Sequence, residues 1–569
     1  MEDQGKRLIL ALVLSFAFLM VYQRYFLPPS PEPVQTEESQ SAAQEAIAEP
    51  SGEAPLTETP PGPPPEPIGG SEETYITVST PLYEAVLTNR GGALKSFTLT
   101  QYREELKDPD SRVQMVHDAG QESVLPLAAE FTGAGGPLGF SQALFRTEGG
   151  DLSLRDGQRG TVSFRYRTPE GLEMVKTLEF ASDSYEIRCG VNIINRSGQT
   201  IGGRGSLIWG PGLEDIVGAG GEENKSRSSR YGYKGALVLD GRKTSKIKAK
   251  DLEGTRTFED PVTWIASSDM YFVAVLLPVE GFDGALARKG SGERVEVALL
   301  SQQRLSPGAG AEMAASAYVG PKEMNSLRQV DPSLIRTIDF GIFGFIAKPL
   351  LELLNFFHRY VGNYGLAIII LSALIKIIFI PFSAISHRSM KKMSRLQPQI
   401  NALRDRYKKD KEKLNQEVMK LYQQNRVNPA SGCLPILVQI PVFFALYRAL
   451  LGAIELRHAP FYLWIVDLSA KDPLYITPII MGATMFLQQK MTPTAADPRQ
   501  ARIMLFLPII FTALFLSFPA GLVIYWTVNN VLTIAHQYFL NKAKDGEEPV
   551  VEEKPASGKG KGKKKKTAD

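Results

Sequence analysis

Long apolar segments alternate with polar ones along this chain, and six of the apolar segments approach the length of a membrane span. About 20 apolar residues are needed to cross a hydrocarbon core of ~30 Å. The pattern therefore predicts an α-helical polytopic membrane protein with six spans. The first is LILALVLSFAFLMVY at 8–22, and the others are expected at about 361–383, 433–454, 473–491, 503–518 and 521–540.

The first apolar segment could be a cleaved signal peptide or a retained anchor. The sequence that follows it, YQRYFLPPS, lacks the small-x-small pattern of a cleavage site, which favours an anchor within residues 1–27. Residues 28–73 are rich in Pro, Glu, Ser and Ala, and cannot bury enough apolar surface to fold. We expect them to form an extended, flexible linker.

Residues 74–330 contain short β-rich runs separated by Gly, Asp and Asn turns, which predicts a large all-β sandwich domain. The runs are TYITVST, YEAVLTNRGG, LKSFTLTQY, GTVSFRYRT, YEIRCGVNII and RVEVALL. MYFVAVLLP at 270–278 is apolar but too short to span a membrane, so a buried strand is predicted there. The Gly-rich GAGG at 218–221 lacks a dinucleotide-binding fingerprint and is interpreted as a loop.

Two further helical elements are predicted on either side of the second span. Apolar residues recur at helical spacing at about 340–358, which favours a helix lying flat in the membrane interface; the alternative is an N-terminal extension of the second span. Residues 384–430 carry far more Lys and Arg than Asp and Glu, and repeat apolar residues at helical spacing on both sides of KKDK at 408–411. This pattern predicts a basic helical hairpin.

Positive charge falls on one side of the predicted spans if these alternate in direction. Outside the basic hairpin, the charges are Lys6, Arg7, Lys490, Arg499, Arg502 and KGKGKKKK at 559–566. The positive-inside rule then places both termini in the cytoplasm and the β domain in the periplasm. The hairpin region 387–429 is interpreted as a solvated loop or as a docking site for anionic lipid, a ribosome or a passenger chain, and these interpretations are compatible. The tail at 541–569 is predicted to be disordered, and it is either simply solvated or contacts anionic lipid or ribosomal RNA.

Lys376 lies inside the second predicted span, where an ammonium group costs roughly 2.5–3.5 kcal/mol on insertion scales. Its side chain could extend to the nearer interface, or it could face a wet cavity. Ser372 lies on the same helical face, and Gln439, Tyr525 and Asn529 bring polar groups to two other spans. These residues favour a wet cavity lined by Lys376, while hydrogen bonds between helices explain the Gln and Asn residues equally well.

Composition excludes several classes of function. The chain has 64 Lys and Arg against 61 Asp and Glu, a net charge of +3, and no nucleic-acid-binding motif. Cys189 and Cys433 fall in different predicted compartments, so neither a disulfide nor a Cys-based metal site is expected. The histidines lack metal-ligand spacing and no G-x-x-x-x-G-K-[ST] motif occurs, so we expect no cofactor and no enzymatic activity; they are found at 117, 358, 387, 458 and 536.

Several stretches of the C-terminal half resemble the YidC/Oxa family of membrane protein insertases. They include YVGNYGLAIIILSALIKIIFIPFS, NPASGCLPILVQIPVFFALYRAL and FPAGLVIYWTVNN, and the resemblance covers about 340–540. TNRGGALKSFTLTQY and WIASSDMYFVAVLLP resemble the periplasmic domain of the Gram-negative YidC branch. The Pro-rich linker and the tail are not covered.

The resemblance implies an inner-membrane insertase and chaperone whose five-helix core lies within 331–540. Such proteins insert and fold nascent membrane proteins, alone or with the Sec translocon, through a hydrophilic groove that is open to the cytoplasm and to lipid and closed outside. Lys376 takes the place of a positive residue that is usually Arg in the family. Ser372, Ile440, Phe443 and Trp526 match positions that line the groove or touch the passenger, with Trp526 in the place of a Tyr common in close relatives. The candidate groove therefore consists of Lys376, Ser372, Gln439, Ile440, Phe443, Tyr525, Trp526 and Asn529.

Two other classes of function stay open. A small-solute transporter would use Lys376 as an anion site, but the predicted spans contain no Asp or Glu and no evident inverted repeat. The β domain could instead be a carbohydrate-binding or enzymatic module with a membrane anchor. The absence of a catalytic cluster and the five further spans count against that alternative.

Overall fold

The computed structural model describes residues 66–116, 124–213, 233–241, 243–290, 294–427, 434–492 and 498–542. The first predicted span, nearly all of the linker and the C-terminal tail lie outside the described residues. So do GAGG, His117 and Cys433.

The N-terminal half of the described chain is an all-β domain with three sheets, as its alternating pattern predicts. The five-stranded sheet has the order β4-β3-β2-β1-β8 and is antiparallel except for the parallel pair of β1 and β8. Its strands are β1 Tyr75–Ser79, β2 Tyr83–Thr88, β3 Ala93–Arg103, β4 Arg112–Val116 and β8 Leu152–Ser153.

The largest sheet has nine antiparallel strands in the order β14-β13-β16-β17-β20-β11-β10-β9-β7. They are β7 Arg146–Glu148, β9 Arg159–Arg167, β10 Leu172–Ala181, β11 Glu186–Asn195, β13 Gly235–Asp240, β14 Lys243–Ile247, β16 Trp264–Ser268, β17 Phe272–Glu280 and β20 Gly310–Pro321. Strand β17, in the interior of this sheet, is buried on both faces from Phe272 to Leu277, which confirms the buried strand predicted at 270–278.

The third sheet has six strands in the order β15-β18-β19-β12-β5-β6. They are β5 Ala128–Gly133, β6 Gly136–Pro137, β12 Ile201–Trp209, β15 Thr255–Phe258, β18 Gly284–Lys289 and β19 Val295–Leu305. Strands with one face on the core alternate buried and accessible residues, as β11 does. Lys176 is fully buried and donates to the carbonyl oxygens of Gly92 and Leu127, so its ammonium group is paired inside the domain.

The C-terminal half is helical. Its helices are α1 Met324–Val330, α2 Gly344–Val361, α3 Tyr364–Arg395, α4 Gln397–Arg406, α5 Lys411–Gln424, α6 Leu434–Gly452, α7 Ile476–Met491, α8 Pro498–Phe515 and α9 Ala520–Lys542. Gly362 ends α2 in a left-handed conformation with φ of 65°, and the Asn363 side chain caps α3 by accepting from the Leu366 N–H. The segment predicted to lie in the interface is therefore a helix of its own, separate from α3.

Within the described chain, α3 is the one helix that is both long and apolar enough to cross a membrane. Two shorter apolar helices cover Val438–Gly452 and Leu505–Phe515. The six-span arrangement stays a prediction, since the first predicted span is not among the described residues. The helices nevertheless form one packed core, in which α9 lies against α3, α6 and α7, while α2 packs on α3 and α6, and α8 packs on α7.

The basic hairpin consists of α4 and α5, which follow directly from the end of α3. Its two arms are separated at residues 407–410, so the predicted break around 408–411 is confirmed. Asp410 begins the second arm by accepting from the Lys413 N–H. A small apolar cluster holds the arms together, built on Leu396, Ile400 and Val427 with Met393, Val418, Leu421 and Tyr422 packed against it.

Candidate functional site

Lys376 lies on α3 beside α9, where its charged group contacts a hydroxyl. The Lys376 Nζ donates to the Thr533 Oγ1 at 2.6 Å, and the Thr533 Oγ1 donates in turn to the Asn529 carbonyl oxygen at 2.6 Å. His536, on the next turn of α9, interacts electrostatically with the same ammonium group. The side chain of Lys376 is partly buried, while its chain neighbours Ile377 and Ile378 are 62% and 58% exposed. The ammonium thus sits at a helix–helix boundary, next to surface that suits lipid.

Ser372 is placed one turn before Lys376 but does not extend this polar cluster. Its hydroxyl is buried and donates to the Ile368 carbonyl oxygen of its own helix at 2.6 Å. A serine bonded in this way has no proton left to offer a ligand. Of the candidate residues on α3, Lys376 is therefore the one whose polar group reaches another helix.

Gln439 and Tyr525 meet across the boundary of α6 and α9. The Gln439 Nε2 donates to the Tyr525 Oη at 2.8 Å, and Tyr525 is buried. Asn530 forms a similar link to α7, where its Nδ2 donates to the Thr484 Oγ1 at 3.3 Å. These bonds favour the interhelical interpretation of the Gln and Asn residues over that of a wet lining.

Phe443 and Trp526 form an aromatic cluster with α8. Their ring centroids are 4.8 Å apart at an interplanar angle of 86°, an edge-to-face contact. Trp526 also lies 5.2 Å from Phe515 and 6.1 Å from Phe511. Ile440 is one turn before Phe444 on α6 and is 36% exposed. The cluster joins α6, α8 and α9 and presents apolar surface beside the polar one.

Thr533 and His536 were not predicted from the sequence as site residues, although both interact with the Lys376 ammonium group. Thr533 is 157 residues from its partner along the chain, so no local pattern connects the two. One signal existed: Tyr525, Asn529 and Thr533 follow one another at four-residue intervals on a single face of α9. Extending this face of α9 by one turn beyond Asn529 reaches Thr533. Asn529, which was a candidate, is partly buried and contributes its backbone carbonyl to the Lys376 cluster.

The loop between α6 and α7 covers one end of the helical core. Ile454, Leu456, Ile465 and Leu468 are buried there. Backbone bonds fix the loop to the start of α9, since the Gly521 N–H donates to Leu468 at 2.9 Å and the Ala520 N–H donates to Ala470 at 2.7 Å. The Asn363 side chain donates to the Phe461 carbonyl oxygen at 3.2 Å and ties the same loop to α3.

This covering loop holds a buried carboxylate. Glu455 accepts a hydrogen bond from the Asn355 Nδ2 of α2 at 3.2 Å, while its second oxygen is buried and has no hydrogen-bond partner among the described residues. Burial raises the pKa of Glu455 to about 6, and the nearby Glu323 adds to the effect. The Glu455 carboxyl therefore takes up a proton closer to neutral pH than an exposed glutamate does.

Comparisons with known proteins cover nearly the whole chain. Residues 75–353 match the family model of the YidC periplasmic domain, and residues 356–547 match that of the 60Kd inner membrane protein. The membrane protein insertase YidC of Syntrophus aciditrophicus (strain SB) is 40% identical over 551 residues, which are 94% of this chain and 99% of that protein. That of Nitratidesulfovibrio vulgaris (strain DP4) is 40% identical over 548 residues, with the same coverage of 94% and 99%. A crystal structure of an active YidC insertase with the first transmembrane domain resolved is 18% identical, with a TM-score of 0.36, and covers 84% of this chain and 94% of that one.

Proposed function

The chain belongs to the YidC family of membrane protein insertases, and from that premise we propose that a groove centred on Lys376 receives the passenger proteins. Membership makes it an inner-membrane protein that inserts other membrane proteins, not an enzyme in the catalytic sense. Its β domain corresponds to the family's periplasmic domain.

The observation that carries the proposal is the hydrogen bond between Lys376 and Thr533, the one that the Lys376 ammonium forms with the described residues. An ammonium group inside a span is costly unless water or a partner solvates it, and one neutral hydroxyl satisfies one of its three donors. The remaining donors are available to water and to an acidic passenger segment. A carboxylate forms a stronger, charge-assisted bond than the hydroxyl does, so it displaces Thr533 without loss.

Insertion then proceeds in two steps, entry of the polar segment into the groove and movement of the apolar helix into lipid. Neither step needs a nucleotide. A wet groove reaching Lys376 shortens the ~30 Å barrier that a polar segment must cross. The passenger's apolar helix meets Ile440, Phe443 and Trp526 and moves along them into lipid, since transfer of apolar surface out of water drives the step. The α6–α7 loop keeps the outer end closed, which prevents the wet groove from becoming a continuous pore.

Six spans, with the N-terminus, the basic hairpin and the tail in the cytoplasm, complete the proposal. In this arrangement residues 387–429 and the tail face the ribosome and anionic lipids, and the helical core meets the Sec translocon at its lateral surface. The exposed apolar side chains of α3, α7 and α8 support a lipid-facing placement of these helices, among them Ile377, Ile378, Phe486, Phe506, Ile509 and Ile510.

Site-specific photocrosslinking tests the groove. A photoreactive amino acid replaces Ile440, which is 36% exposed and lies near the proposed path, or Ile510, which is 63% exposed on α8 and serves as the control. A ribosome-stalled passenger with an acidic N-terminal segment should crosslink to position 440 and far less to position 510. Equal crosslinking at both positions would contradict a groove on this face of the core.

A further inference from the structure

A pocket open to the surroundings lies where the β domain meets the helical core, at the C-terminal end of α6. The β domain contributes Tyr233, Met270 and Lys322 to its wall. The connector before α2 contributes Ile338 and Asp339, and the last turns of α6 contribute Arg448, Leu451 and Gly452. Residues from both halves of the chain therefore face one space.

Two cations form ion pairs with a single carboxylate at this pocket, and a third cation lies in the pocket wall. The Lys246 Nζ lies 2.7 Å from the Asp339 Oδ2, and the Arg448 Nη1 lies 4.0 Å from the same oxygen. The Asp339 Oδ1 accepts from the Gly341 N–H at 3.1 Å, so this carboxylate is well satisfied. Arg448 is the weaker of its two ion-pair partners and is 42% exposed, which leaves most of its five donors for another acceptor.

The third cation is Lys322, which is 4% exposed and donates to the Asp269 carbonyl oxygen. The Asp269 and Asp339 carboxylates both attract this ammonium, and Lys246 repels it. Three cations against two carboxylates leave one positive charge in excess. A single negative charge, such as that of a phosphodiester, would balance it.

Exposed apolar side chains border the cationic pocket. Phe444 lies one turn before Arg448 on α6 and is 40% exposed, and its ring lies 6.4 Å from that of Phe343. Ile342 and Phe345, at the start of α2, are 51% and 75% exposed. A free ion would leave this apolar surface uncovered, whereas a molecule with a charged head group and apolar chains would contact both the cationic pocket and the apolar side chains.

We propose that this pocket binds the phosphate group of an anionic phospholipid of the outer leaflet, with the acyl chains lying over Phe444 and Phe345. The phosphate accepts from the Arg448 guanidinium, whose planar donor geometry suits phosphate oxygens, and is attracted by Lys246 and Lys322. The choice of leaflet rests on the membrane orientation given under the proposed function. The bound lipid would connect the β domain to α6, since its cations come from both.

Native mass spectrometry of the purified full-length protein in detergent tests the site. Phosphatidylglycerol is the probe, with phosphatidylcholine and glycerol phosphate as comparison ligands. We expect one phosphatidylglycerol to bind the wild type more tightly than phosphatidylcholine, with glycerol phosphate weaker than either. Arg448→Gln should weaken phosphatidylglycerol binding about tenfold, the effect of one charge-assisted contact. Arg359→Gln, at an exposed arginine of α2 away from the pocket, should leave it unchanged.

Asp339→Asn is expected to raise the affinity for phosphatidylglycerol, a result that misfolding of the variant cannot produce. Removing the competing carboxylate should tighten phosphatidylglycerol binding severalfold. Equal losses in Arg448→Gln and Arg359→Gln, or no gain in Asp339→Asn, would overturn the site. Glycerol phosphate binding as tightly as the lipid would overturn the lipid assignment.

Two further measurements separate this proposal from the groove. Lys376→Ala should bind phosphatidylglycerol like the wild type, and Arg448→Gln should retain passenger insertion, because Lys376 does not line the pocket and Arg448 is not a groove residue. Lipid binding that is lost in Lys376→Ala would contradict a separate site. In vesicles with phosphatidylglycerol confined to one leaflet, the thiol of Phe345→Cys should be protected from a water-soluble thiol reagent only when the lipid is in the leaflet on the β-domain side.

Discussion

Lys376 differs in its contacts from the other polar candidates of the core. Gln439 and Tyr525 satisfy each other across two helices, and Ser372 bonds to its own helix. The charged group of Lys376 is bonded to one neutral hydroxyl among the described residues, and its chain neighbours Ile377 and Ile378 are exposed. A charge held this weakly is suited to exchange its partner for a passenger carboxylate, whereas the other polar groups are suited to hold helices together.

The Gln439–Tyr525 bond makes a testable contribution to stability. Tyr525→Phe removes the acceptor of the Gln439 amide and should lower the free energy of unfolding by about 1 kcal/mol, the usual net value for such a bond. Thermal unfolding of the purified protein measures the loss as a lower melting temperature. Tyr360→Phe is the matched control, because Tyr360 is 76% exposed and should change nothing. Equal melting temperatures for wild type and Tyr525→Phe would show that the bond is not formed.

Glu455 predicts a pH dependence at the covering loop. Burial raises its pKa from 4.5 to about 6, so the folded state binds the proton more tightly than the unfolded state does. This contribution to stability is fully present below about pH 4.5 and is lost as the pH rises through 6, with a maximum of about 2 kcal/mol.

Glu455→Gln should remove that dependence. Melting temperatures measured from pH 5 to pH 8 should fall less steeply with rising pH in the variant than in the wild type. Glu105→Gln, at an exposed carboxylate of the β domain, should keep the wild-type slope. Identical slopes in all three proteins would mean that Glu455 does not titrate as its surroundings indicate.

Many residues of the candidate site could be predicted from the sequence. The prediction was incomplete for a physical reason. Lys376 stands out because a charge in an apolar run has a cost that needs an explanation. Its partner Thr533 does not stand out, since a threonine in a helix has no such cost and the contact spans 157 residues. The pairing of Gln439 with Tyr525 likewise depends on how α6 and α9 pack, which no local pattern determines.

At the scale of elements, the close approach of α7 and α8 depends on Gly482. A Cβ atom built on Gly482 would clash with the Thr512 side chain of α8, so the two helices can approach this closely because residue 482 has no side chain. Small residues allow helices in a membrane to approach closely and gain packing energy. The contact also positions α8, whose Phe511 and Phe515 complete the aromatic cluster around Trp526.

Gly482→Val should therefore separate α7 from α8 and reduce both stability and insertion. Ala483→Val adds the same side chain at the neighbouring position, which is exposed, and should be tolerated. Protease-protected insertion and the melting temperature distinguish the two variants. Normal insertion in Gly482→Val would show that the helix spacing at this point is not critical.

The boundaries of elements were predictable where the chain carries its own signals. The hairpin break was found because charged residues interrupt two apolar repeats, and Asp410 caps the second arm. The junction of α3 with the hairpin was not predictable from the sequence, because α3 continues to Arg395 and no residue signals a helix end at the predicted membrane edge. A helix that leaves the membrane need not end there, since its backbone bonds are internal on both sides.

At the scale of the whole molecule, the β domain is docked on the helical core through several polar contacts. The Arg457 guanidinium donates to the Glu104 carbonyl oxygen at 3.3 Å and lies 5.7 Å from the centre of the Phe272 ring. Arg328 and Glu352 form an ion pair between α1 and α2. These contacts fix the position of the β domain but do not involve the candidate groove.

Deletion of the β domain should accordingly leave much of the insertion activity. Removing residues 75–325 keeps α2 and all the helices that carry the groove residues. Insertion of a short single-span passenger into proteoliposomes should remain measurable, with lower stability because the docking contacts are lost. Complete loss of insertion in a correctly folded deletion protein would place an essential part of the mechanism in the β domain.

The central claim is that a positive charge at position 376 in a wet groove drives insertion. Its most direct test is protease-protected insertion of a short passenger with an acidic tail into proteoliposomes containing wild type, Lys376→Arg or Lys376→Ala. Lys490→Ala, at an exposed lysine near the end of α7, controls for the loss of any membrane-proximal charge. Lys376→Arg and Lys490→Ala should insert the passenger like the wild type, whereas Lys376→Ala should fail to insert it. Wild-type insertion by Lys376→Ala would contradict it and leave Lys376 as a residue that merely extends to the interface.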